Sequence, residues 1–514
     1  MIDPTNLPTS LVDFSGGLNT KRKELNKMKI TETPDCMDVY SDVDGSLHKR
    51  EGRTKLDSTQ RGAGSYDSNI LYDLGGTLFG MFGTSSFKMD ELDGTFDALD
   101  TGLTDCKYFG ANYSGTLVLG NYNYDIPRYW NGTAATTSAI ADTDCPRARY
   151  PMEYQGYIFW WNVRNNPNRL QRSDYGTYDT YTATNYNDII THDGDVGTGL
   201  AKLKGVLYAF KRWSIHRISY LGGTPLLDIR QMTTGIGAIS HDTIRNITIP
   251  DKGEVLIFLG ADKRLHIFDG YSPTPVSGNF EESNDICPIA CQTLNTGGIK
   301  FAHAVVDESR HWYVLFVPNG GDSTMTHCFV YNYHTGACFP FANQTLASSV
   351  VATDTNGKKW VVVGDYSGYA FKWYYGNKDD TTTISAYHTI PRVFYKTPQA
   401  LVKNRQVRID MKALSDDIIS FQHRQDYGET WNTAENIKLY TPNPSSEWYL
   451  GVDFVLGTSK LGPQKIVVHT TVDLPYISNF MQFKISDSLV VGPWTLYGYD
   501  FLGKAIGYGE QGSE

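Results

Sequence analysis

The stretch "GEVLIFLGADKRLHIFDG", from Gly253 to Gly270, decides the fold class of this chain. It consists of two short apolar runs, and Asp262 and Lys263 form a polar turn between them. An Asp-Gly pair closes the unit at its C-terminal end. Short runs rich in Ile, Leu and Phe around a polar turn predict a β-hairpin.

Six further stretches have the same form, and their spacing indicates a repeat. The seven units begin at residues 76, 115, 156, 205, 253, 310 and 358, at intervals of 39, 41, 49, 48, 57 and 48 residues. Four strands fit in about 40–45 residues, the usual size of one β-propeller blade. The sequence therefore predicts an all-β fold with a β-propeller of about seven blades. The alternative is a long β-sandwich whose hairpins resemble one another.

Changes in composition divide the chain into three parts. Residues 1–60 are polar and contain one hairpin that turns at Asp44-Gly45, which predicts an N-terminal arm. The repeats occupy residues 61–378. After the polar stretch "NKDDTTTIS" (Asn377 to Ser385) the strands become longer and alternate, which predicts a β-sandwich-like domain over residues 379–514. Two roles are open for the arm: docking on a neighbouring subunit, or supplying a strand that closes the last blade.

Charge, hydropathy and cysteine content limit the class of protein. The formal net charge of −10 argues against a broad basic face that grips nucleic acid. No apolar run approaches the ~18 residues that span a bilayer, so we expect no membrane insertion. The N-terminus has no signal-peptide pattern. The seven cysteines are therefore expected to be free thiols in a reducing cytosol, without a structural disulfide.

One segment carries carboxylates in a pattern that is close to a calcium-binding loop. "YSDVDGSLHKRE" (Tyr40 to Glu51) matches the EF-hand loop at Asp42, Asp44, Gly45 and Glu51. Tyr40, however, occupies the first ligand position, and no helical pattern flanks the loop. We interpret the segment as an ordinary hairpin.

A second group of residues has the side-chain types that zinc prefers. Its members are scattered, and the neighbours His327 and Cys328 would point to opposite faces of a strand. Buried thiols explain the cysteines better. We predict no metal site at these positions: Cys287, Cys291, His327, Cys328, His334 and Cys338.

Two segments resemble the Asp-box of sialidases, a turn-stabilising element of a propeller-based glycosidase family. "RQDYGETW" (Arg424 to Trp431) is the better match and "RSDYGTY" (Arg172 to Tyr178) the looser one. Nothing in the sequence pairs two carboxylates at a glycosidic bond, and no nucleotide-binding or protease motif is present. We therefore expect a protein that is not an enzyme, with no catalytic, cofactor-binding or metal-binding residues and no cofactor.

Two stretches of the chain match the sequence pattern of one known family. The family's Phe-x-Gly-Gly-Leu-Asn segment corresponds to residues 14–19, its Asp-Val hairpin to Asp38 and Val39, and its Gly-x-Leu-x-x-Arg-x-Gly element to Gly45 to Gly52. A second stretch begins with "NPNRLQRSDYGTYDTY" (Asn166 to Tyr181), continues through "GLAKLKGVLYAFKRWSIHRISY" and ends with "GADKRLHIFDG". It is similar to the family's repeated blade core. Through these two stretches the chain resembles the propeller-type tail and head–tail connector proteins of tailed bacteriophages.

The resemblance implies a virion structural protein of the tail nozzle or DNA-stabilisation type. Such a subunit forms a ring, commonly a hexamer, with portal, adaptor and other tail proteins as partners. Duplex DNA passes through the lumen without specific binding and is retained until ejection. The implied location is the virion tail or neck, with assembly in the host cytoplasm. The resemblance also leads us to expect that a chain without residues 1–54 keeps a folded propeller but fails to join particles.

The sequence is also compatible with two other functions. One is a receptor-binding or glycan-degrading tail protein built on a propeller. The other is a cellular propeller that serves as an interaction platform.

Overall fold

The computed structural model describes residues 10–21, 25, 28–62, 66–92, 94–121, 124–191, 193–283, 287, 289–394, 400–413, 418–426, 428, 430–438, 468–474, 476–487 and 492–508. These residues form β-strands, turns and three short 3-10 helices, at His241–Thr243, Cys291–Thr293 and Ile299–Phe301. The predicted all-β class is confirmed. Within the described ranges, no helix has the length and apolar character needed to cross a membrane.

The N-terminal segment contributes seven short strands. They are β1 (Ser10–Leu11), β2 (Gly17–Leu18), β3 (Glu32–Thr33), β4 (Asp35–Met37), β5 (Val39–Ser41), β6 (Leu47–Lys49) and β7 (Arg53–Lys55).

Seven sheets follow, six with four antiparallel strands and one with six strands, which confirms the predicted propeller and its blade number. Blade 1 contains β8 (Ser68–Leu74), β9 (Thr77–Phe82), β10 (Ser85–Met89) and β11 (Asp97–Asp100). Blade 2 contains β12 (Tyr108–Tyr113), β13 (Thr116–Asn121), β14 (Arg128–Trp130) and β15 (Ser138–Ala139). Blade 3 contains β16 (Ala148–Tyr154), β17 (Tyr157–Val163), β18 (Asn166–Arg172) and β19 (Tyr186–Asp188). Blade 4 contains β20 (Gly197–Leu203), β21 (Val206–Lys211), β22 (Ser214–Tyr220) and β23 (Leu227–Thr234).

The remaining blades complete the circle. Blade 5 contains β24 (Arg245–Ile249), β25 (Gly253–Leu259), β26 (Leu265–Phe268) and β27 (Pro273–Pro275). Blade 6 contains β28 (His303–Asp307), β29 (Trp312–Val317), β30 (His327–Asn332) and β31 (Cys338–Phe341). Blade 7 contains β32 (Leu346–Thr353), β33 (Lys359–Asp365) and β34 (Ala370–Trp373), and its fourth strand is β7 from the N-terminal segment, which pairs antiparallel with β34.

The second strand of blade 5 shows why the quoted stretch is apolar along its whole length. Alternate side chains of β25 point to opposite faces of the sheet. Leu256 and Phe258 pack with blade 4, whereas Val255, Ile257 and Leu259 belong to the core cluster that contains blade 6. Because both faces of a blade are covered by neighbouring blades, the strand has no solvent face and no polar alternation.

The C-terminal part forms a two-sheet sandwich. Its strands are β37 (Tyr387–Thr389), β38 (Val393–Phe394), β39 (Ala400–Ala413), β40 (Ile418–Gln425), β41 (Glu435–Lys438), β42 (Val468–Asp473), β43 (Ile477–Ser478), β44 (Phe480–Ser486) and β45 (Trp494–Tyr508). A short hairpin of β35 (Lys378–Asp379) and β36 (Thr382–Thr383) joins the sheet of blade 7 before the sandwich begins. The sheets face each other through stacked rings such as Phe483 and Phe501, whose centroids are 5.4 Å apart.

The N-terminal segment is divided between the two domains. One sandwich sheet has the order β42-β39-β45-β6-β5 with β1 on β45, and the other has the order β4-β37-β44-β40-β41. The structure thus shows the second role considered for the arm, because β7 closes blade 7. The expectation that a chain without residues 1–54 keeps a folded propeller does not fit this arrangement, since the deletion removes strands from both domains.

Gly52 lies where the N-terminal segment enters blade 7. Its N–H donates to the Gly376 carbonyl at 2.7 Å, and its carbonyl accepts from the Tyr375 N–H at 2.9 Å. A Cβ at Gly52 would lie 1.9 Å from the Lys378 carbonyl oxygen. The close approach of two backbone segments therefore requires glycine at this point.

We expect Gly52→Ala to lower the free energy of unfolding by about 1–3 kcal/mol, because the added methyl group overlaps a backbone atom that cannot move alone. Urea unfolding monitored by tryptophan fluorescence measures the effect. Gly278→Ala is the matched control, since a Cβ there meets no atom within 4 Å. Equal stability of the two variants would contradict the packing argument.

Candidate functional site

The residues of the Gly-x-Leu-x-x-Arg-x-Gly element lie at the junction of the two domains. Lys49 ends β6, and Arg50 is the next residue in an extended segment. Consecutive side chains of an extended chain point in opposite directions. Lys49 accordingly points into the sandwich, and Arg50 points toward the propeller.

Arg50 is buried against two carboxylates. Its Nε donates to Asp38 Oδ1 at 2.5 Å, and its Nη1 and Nη2 donate to the two oxygens of Asp379 at 2.9 and 2.6 Å. Asp38 also accepts from the Ala342 N–H at 3.0 Å, just after the last strand of blade 6. The Arg50 side chain is 2% exposed. One guanidinium therefore connects the N-terminal segment to blades 6 and 7.

Lys49 forms the corresponding contact in the sandwich. Its Nζ lies 3.1 and 3.2 Å from the two oxygens of Asp487, and both side chains are at most 1% exposed. Asp487 also accepts hydrogen bonds from the Ala386 N–H at 3.3 Å and from Trp494 Nε1. We call the set Asp38, Lys49, Arg50, Asp379 and Asp487 the clasp.

Burial and charge act against each other in the clasp. Burial raises the pKa of Asp38 to about 6, although Arg50 and the Ala342 N–H act to lower it. Burial raises the pKa of Asp487 as well, against the opposing effect of Lys49. Burial alone would lower the pKa of Arg50, but Asp38 and Asp379 outweigh it and raise that pKa. At neutral pH the Asp38–Arg50 contact is therefore an ion pair whose partners depend on each other for charge compensation.

The earlier part of the family pattern packs in the same region. The Phe14 ring is buried and meets His388 and Tyr499 edge-on, at centroid distances of 5.4 and 6.2 Å. Asn19 donates to the Glu32 carboxylate at 2.9 Å. Phe14 thus holds the N-terminal segment against the sandwich, and the Asn19–Glu32 contact lies within the segment.

A second candidate is a cavity of about 880 Å³ at the centre of the propeller. Lys107, which precedes β12 of blade 2, forms an ion pair of 3.2 Å with Asp242 before blade 5. The same ammonium donates to the Ala347 carbonyl of blade 7 at 2.9 Å. His303 of blade 6 contacts Ser349 Oγ at 2.8 Å and the Leu346 carbonyl at 3.0 Å. The Lys107–Asp242 pair thus bridges blades 2 and 5 across the centre of the propeller, and His303 connects the neighbouring blades 6 and 7.

Burial and neighbouring charges shift the pKa values of three groups that line this cavity. Burial lowers the pKa of His303 to about 3 and that of His241 to about 4, so both are neutral. The pKa of Asp242 is lowered because Lys107, His241 and Arg245 outweigh the effect of burial.

Each of the three carboxylates that line the cavity has a cationic partner. The pairs are Asp242 with Lys107, Asp307 with Arg310 and Glu308 with Lys359.

The residues of the calcium-like pattern lie in the hairpin between β5 and β6. Asp42 and Asp44 lie near His48, each offering one ligand atom within 4.8 Å of the others. Glu51 is not part of this group. Asp44 accepts from the Ser46 N–H at 2.9 Å, and His48 contacts Ser46 Oγ at 2.8 Å and Thr495 Oγ1 at 3.0 Å. These contacts explain the cluster as a hydrogen-bonded turn.

The zinc-like set is not brought together as a ligand cluster within the described residues. Cys287, Cys291, Cys328 and Cys338 are buried free thiols. Burial raises the pKa of Cys287 and that of Cys291 to about 12, and so disfavours the thiolate that binds zinc.

Both Asp-box-like segments form stabilised turns. Asp426 accepts from the Asn479 and Phe480 N–H groups at 2.7 and 3.2 Å, while residues 427 and 429 lie outside the described residues. In the looser copy, Ser173 Oγ donates to the Thr177 carbonyl at 2.8 Å and accepts from the Ile158 N–H at 2.9 Å.

We expect Arg50→Met to lower the free energy of unfolding by about 3–5 kcal/mol, because it leaves two carboxylates buried without their cation. Arg230→Met is the control, since its ion pair with Asp228 is exposed and should contribute about 1 kcal/mol or less. Urea unfolding of the three proteins measures both effects. A similar small loss in both variants would refute the assignment.

His303 should make stability depend on pH. The native pKa of about 3 lies below the value of about 6.5 in the unfolded chain, so this stability is complete above pH 6.5 and is lost as the pH falls toward 3. Between pH 7 and 5, the free energy of unfolding of wild type should fall by about 2 kcal/mol because of this residue, and His303→Gln should not show that decrease. Ser349→Ala, which keeps the imidazole, should retain it. The free energy of unfolding is measured for each protein at the two pH values. If His303→Gln loses as much stability between pH 7 and 5 as wild type does, the assignment is wrong.

Comparisons with known proteins concern the fold. No family model matches the chain, and no curated protein matches it significantly. Similar solved structures include a chain of the mitotic checkpoint complex, with 10% identity and a TM-score of 0.41, covering 62% of this chain and 97% of that one. The β-propeller domain of Cps50 (Swd1) from Myceliophteria thermophila has 9% identity and a TM-score of 0.42, covering 63% and 99%. YCF48 bound to a D1 peptide has 10% identity and a TM-score of 0.37, covering 63% and 98%. At such identities the likeness is limited to the propeller architecture.

Proposed function

We propose that this chain is a structural subunit of a tailed-phage virion, in a tail nozzle or head–tail connector ring that encloses the DNA channel. The single observation that carries the proposal is the place of the family-pattern residues in the structure. Phe14, Asp38 and Arg50 all lie at the junction of propeller and sandwich, and their contacts there are structural. Because these residues serve the internal structure of the subunit, they favour a function that depends on its shape.

The clasp supports this function mechanically. A subunit in the wall of a DNA channel must keep its domains in a fixed relation while DNA is retained and released. Two buried cations that require partners on both sides resist relative movement, because any displacement leaves a buried charge without compensation. Strands shared between the domains add backbone hydrogen bonds to the same junction.

The ion pair across the propeller centre and the net charge agree with a lumen that lies between subunits. Lys107 crosses the axis of the propeller, so the proposed DNA path runs outside each propeller and within a ring of copies. Such a ring is built by heterologous contacts that close on themselves. The net charge of −10 would disfavour adhesion of phosphates to the wall.

Electron microscopy of virions that carry an epitope tag on this chain tests the proposal. We expect antibody label on the particle axis, at the neck or tail. Particles assembled with Arg50→Met should contain less of the subunit and lose packaged DNA, whereas particles with Arg230→Met should be normal. Label on peripheral fibres, or absence of the chain from purified virions, would overturn the proposal.

A further inference from the structure

A cleft of about 450 Å³ lies between blades 3 and 4, away from the clasp and the propeller axis. Blade 3 supplies one wall through Tyr157, Arg172, Asp174, Tyr175 and Asn185, and the turn that contains Thr224 supplies the other. The cleft includes the looser Asp-box-like segment.

Tyr175 is an exposed aromatic residue that is held in place. Its side chain is 71% exposed. The Gly176 N–H donates to the Gly156 carbonyl at 2.9 Å, which fixes the turn on which the tyrosine lies. Three ring atoms of Tyr175 lie 2.9–3.6 Å from where a Cβ of Gly156 would be, and Gly156 has a φ of +76°. A glycine thus lets the ring rest on the backbone, and much of the ring stays open to solvent.

Polar groups beside the ring are ordered by their own hydrogen bonds. Arg172 Nη2 donates to Asn185 Oδ1 at 3.1 Å, and Asn185 Nδ2 donates to Asp174 Oδ1 at 2.7 Å. Thr182 Oγ1 also donates to this carboxylate, at 3.0 Å. Arg172 has no carboxylate within ion-pair distance in the described part of the chain, and its buried Nε has no hydrogen-bond partner there. A guanidinium, an amide and a carboxylate therefore lie beside the ring in a fixed arrangement.

We propose that this cleft binds a saccharide. One face of a pyranose ring presents C–H groups, which pack against the electron-rich face of an aromatic ring. Its hydroxyl groups lie at the edge and suit planar groups that form paired hydrogen bonds, as guanidinium and amide groups do. The volume lies within the range of small-ligand sites. Because both the ring and the polar groups are held before binding, little conformational entropy would be lost on association.

The Arg172 guanidinium has a further consequence for the ligand. Asp174 is engaged by Thr182 and Asn185, whereas Arg172 makes one neutral hydrogen bond to Asn185. A sugar carboxylate would pair directly with Arg172, on which Asp174 acts only through space, so uronate-containing saccharides should bind more tightly than neutral ones. This inference does not depend on the proposed virion function, because the cleft belongs to a single chain.

The test is an array of bacterial surface oligosaccharides, neutral and uronate-containing, incubated with the purified full-length chain. We expect retention on uronate-containing members, with Tyr175→Ala weakening binding by about tenfold or more and Tyr175→Phe keeping it. Arg172→Gln should reduce the preference for uronate over neutral members. Tyr271→Ala is the matched control, since Tyr271 is 74% exposed on the turn after β26 and lies outside the cleft.

Three results would overturn the inference: no binding to any member of the array, equal binding by wild type and Tyr175→Ala, or equal loss in Tyr271→Ala. Thermal unfolding of each variant separates loss of binding from loss of fold. A failure of the virion-labelling experiment would leave these outcomes unchanged, so the two proposals can fail independently.

Discussion

Lys49 and Arg50 are neighbours in the chain, yet one ammonium meets a carboxylate of the sandwich and the guanidinium meets carboxylates beside blades 6 and 7. Removing these charges from water is costly, and the cost is offset where each cation reaches its acceptors in good geometry. The alternation of side chains along an extended segment makes it possible for both contacts to form at once. A shift of either domain would break one of them, so the relative placement of propeller and sandwich depends on this pair.

The circle of blades imposes a second condition, which the N-terminal segment also meets. A propeller closes when its last blade is complete, and here β7 supplies that strand about 320 residues before its partner β34. Gly52 lies between the clasp and β7, at the point where the segment passes within contact distance of the Lys378 backbone. Closure of the ring and attachment of the sandwich are therefore performed by a single stretch of about twenty residues, and neither domain is complete without it.

Local sequence patterns predicted the blades well, whereas the clasp was not predicted from the sequence. Each hairpin is formed by residues close in sequence, so apolar runs and turns such as Asp262-Lys263 reveal it. Arg50 and Asp379 are 329 residues apart, and Lys49 and Asp487 are 438 residues apart. Charged residues are usually exposed, so nothing in the sequence marks these four as buried partners. The "Gly-x-Leu-x-x-Arg-x-Gly" element was visible, but its meaning depended on carboxylates that come from elsewhere in the chain.

Some parts of the molecule can acquire binding functions, and others cannot. Lys107 and Asp242 bridge the centre of the propeller and His303 lines it, and changes there would leave buried polar groups without partners. Turns between blade strands are freer, because they contribute little to the packing between blades. The turn that carries Tyr175 uses this freedom in a specific way: Asp174 and Gly176 fix the backbone, and the side chain between them stays open to solvent. A scaffold that is rigid at its centre and its domain junction can therefore present such a side chain in a constant position, which is the condition for recognising a small rigid ligand.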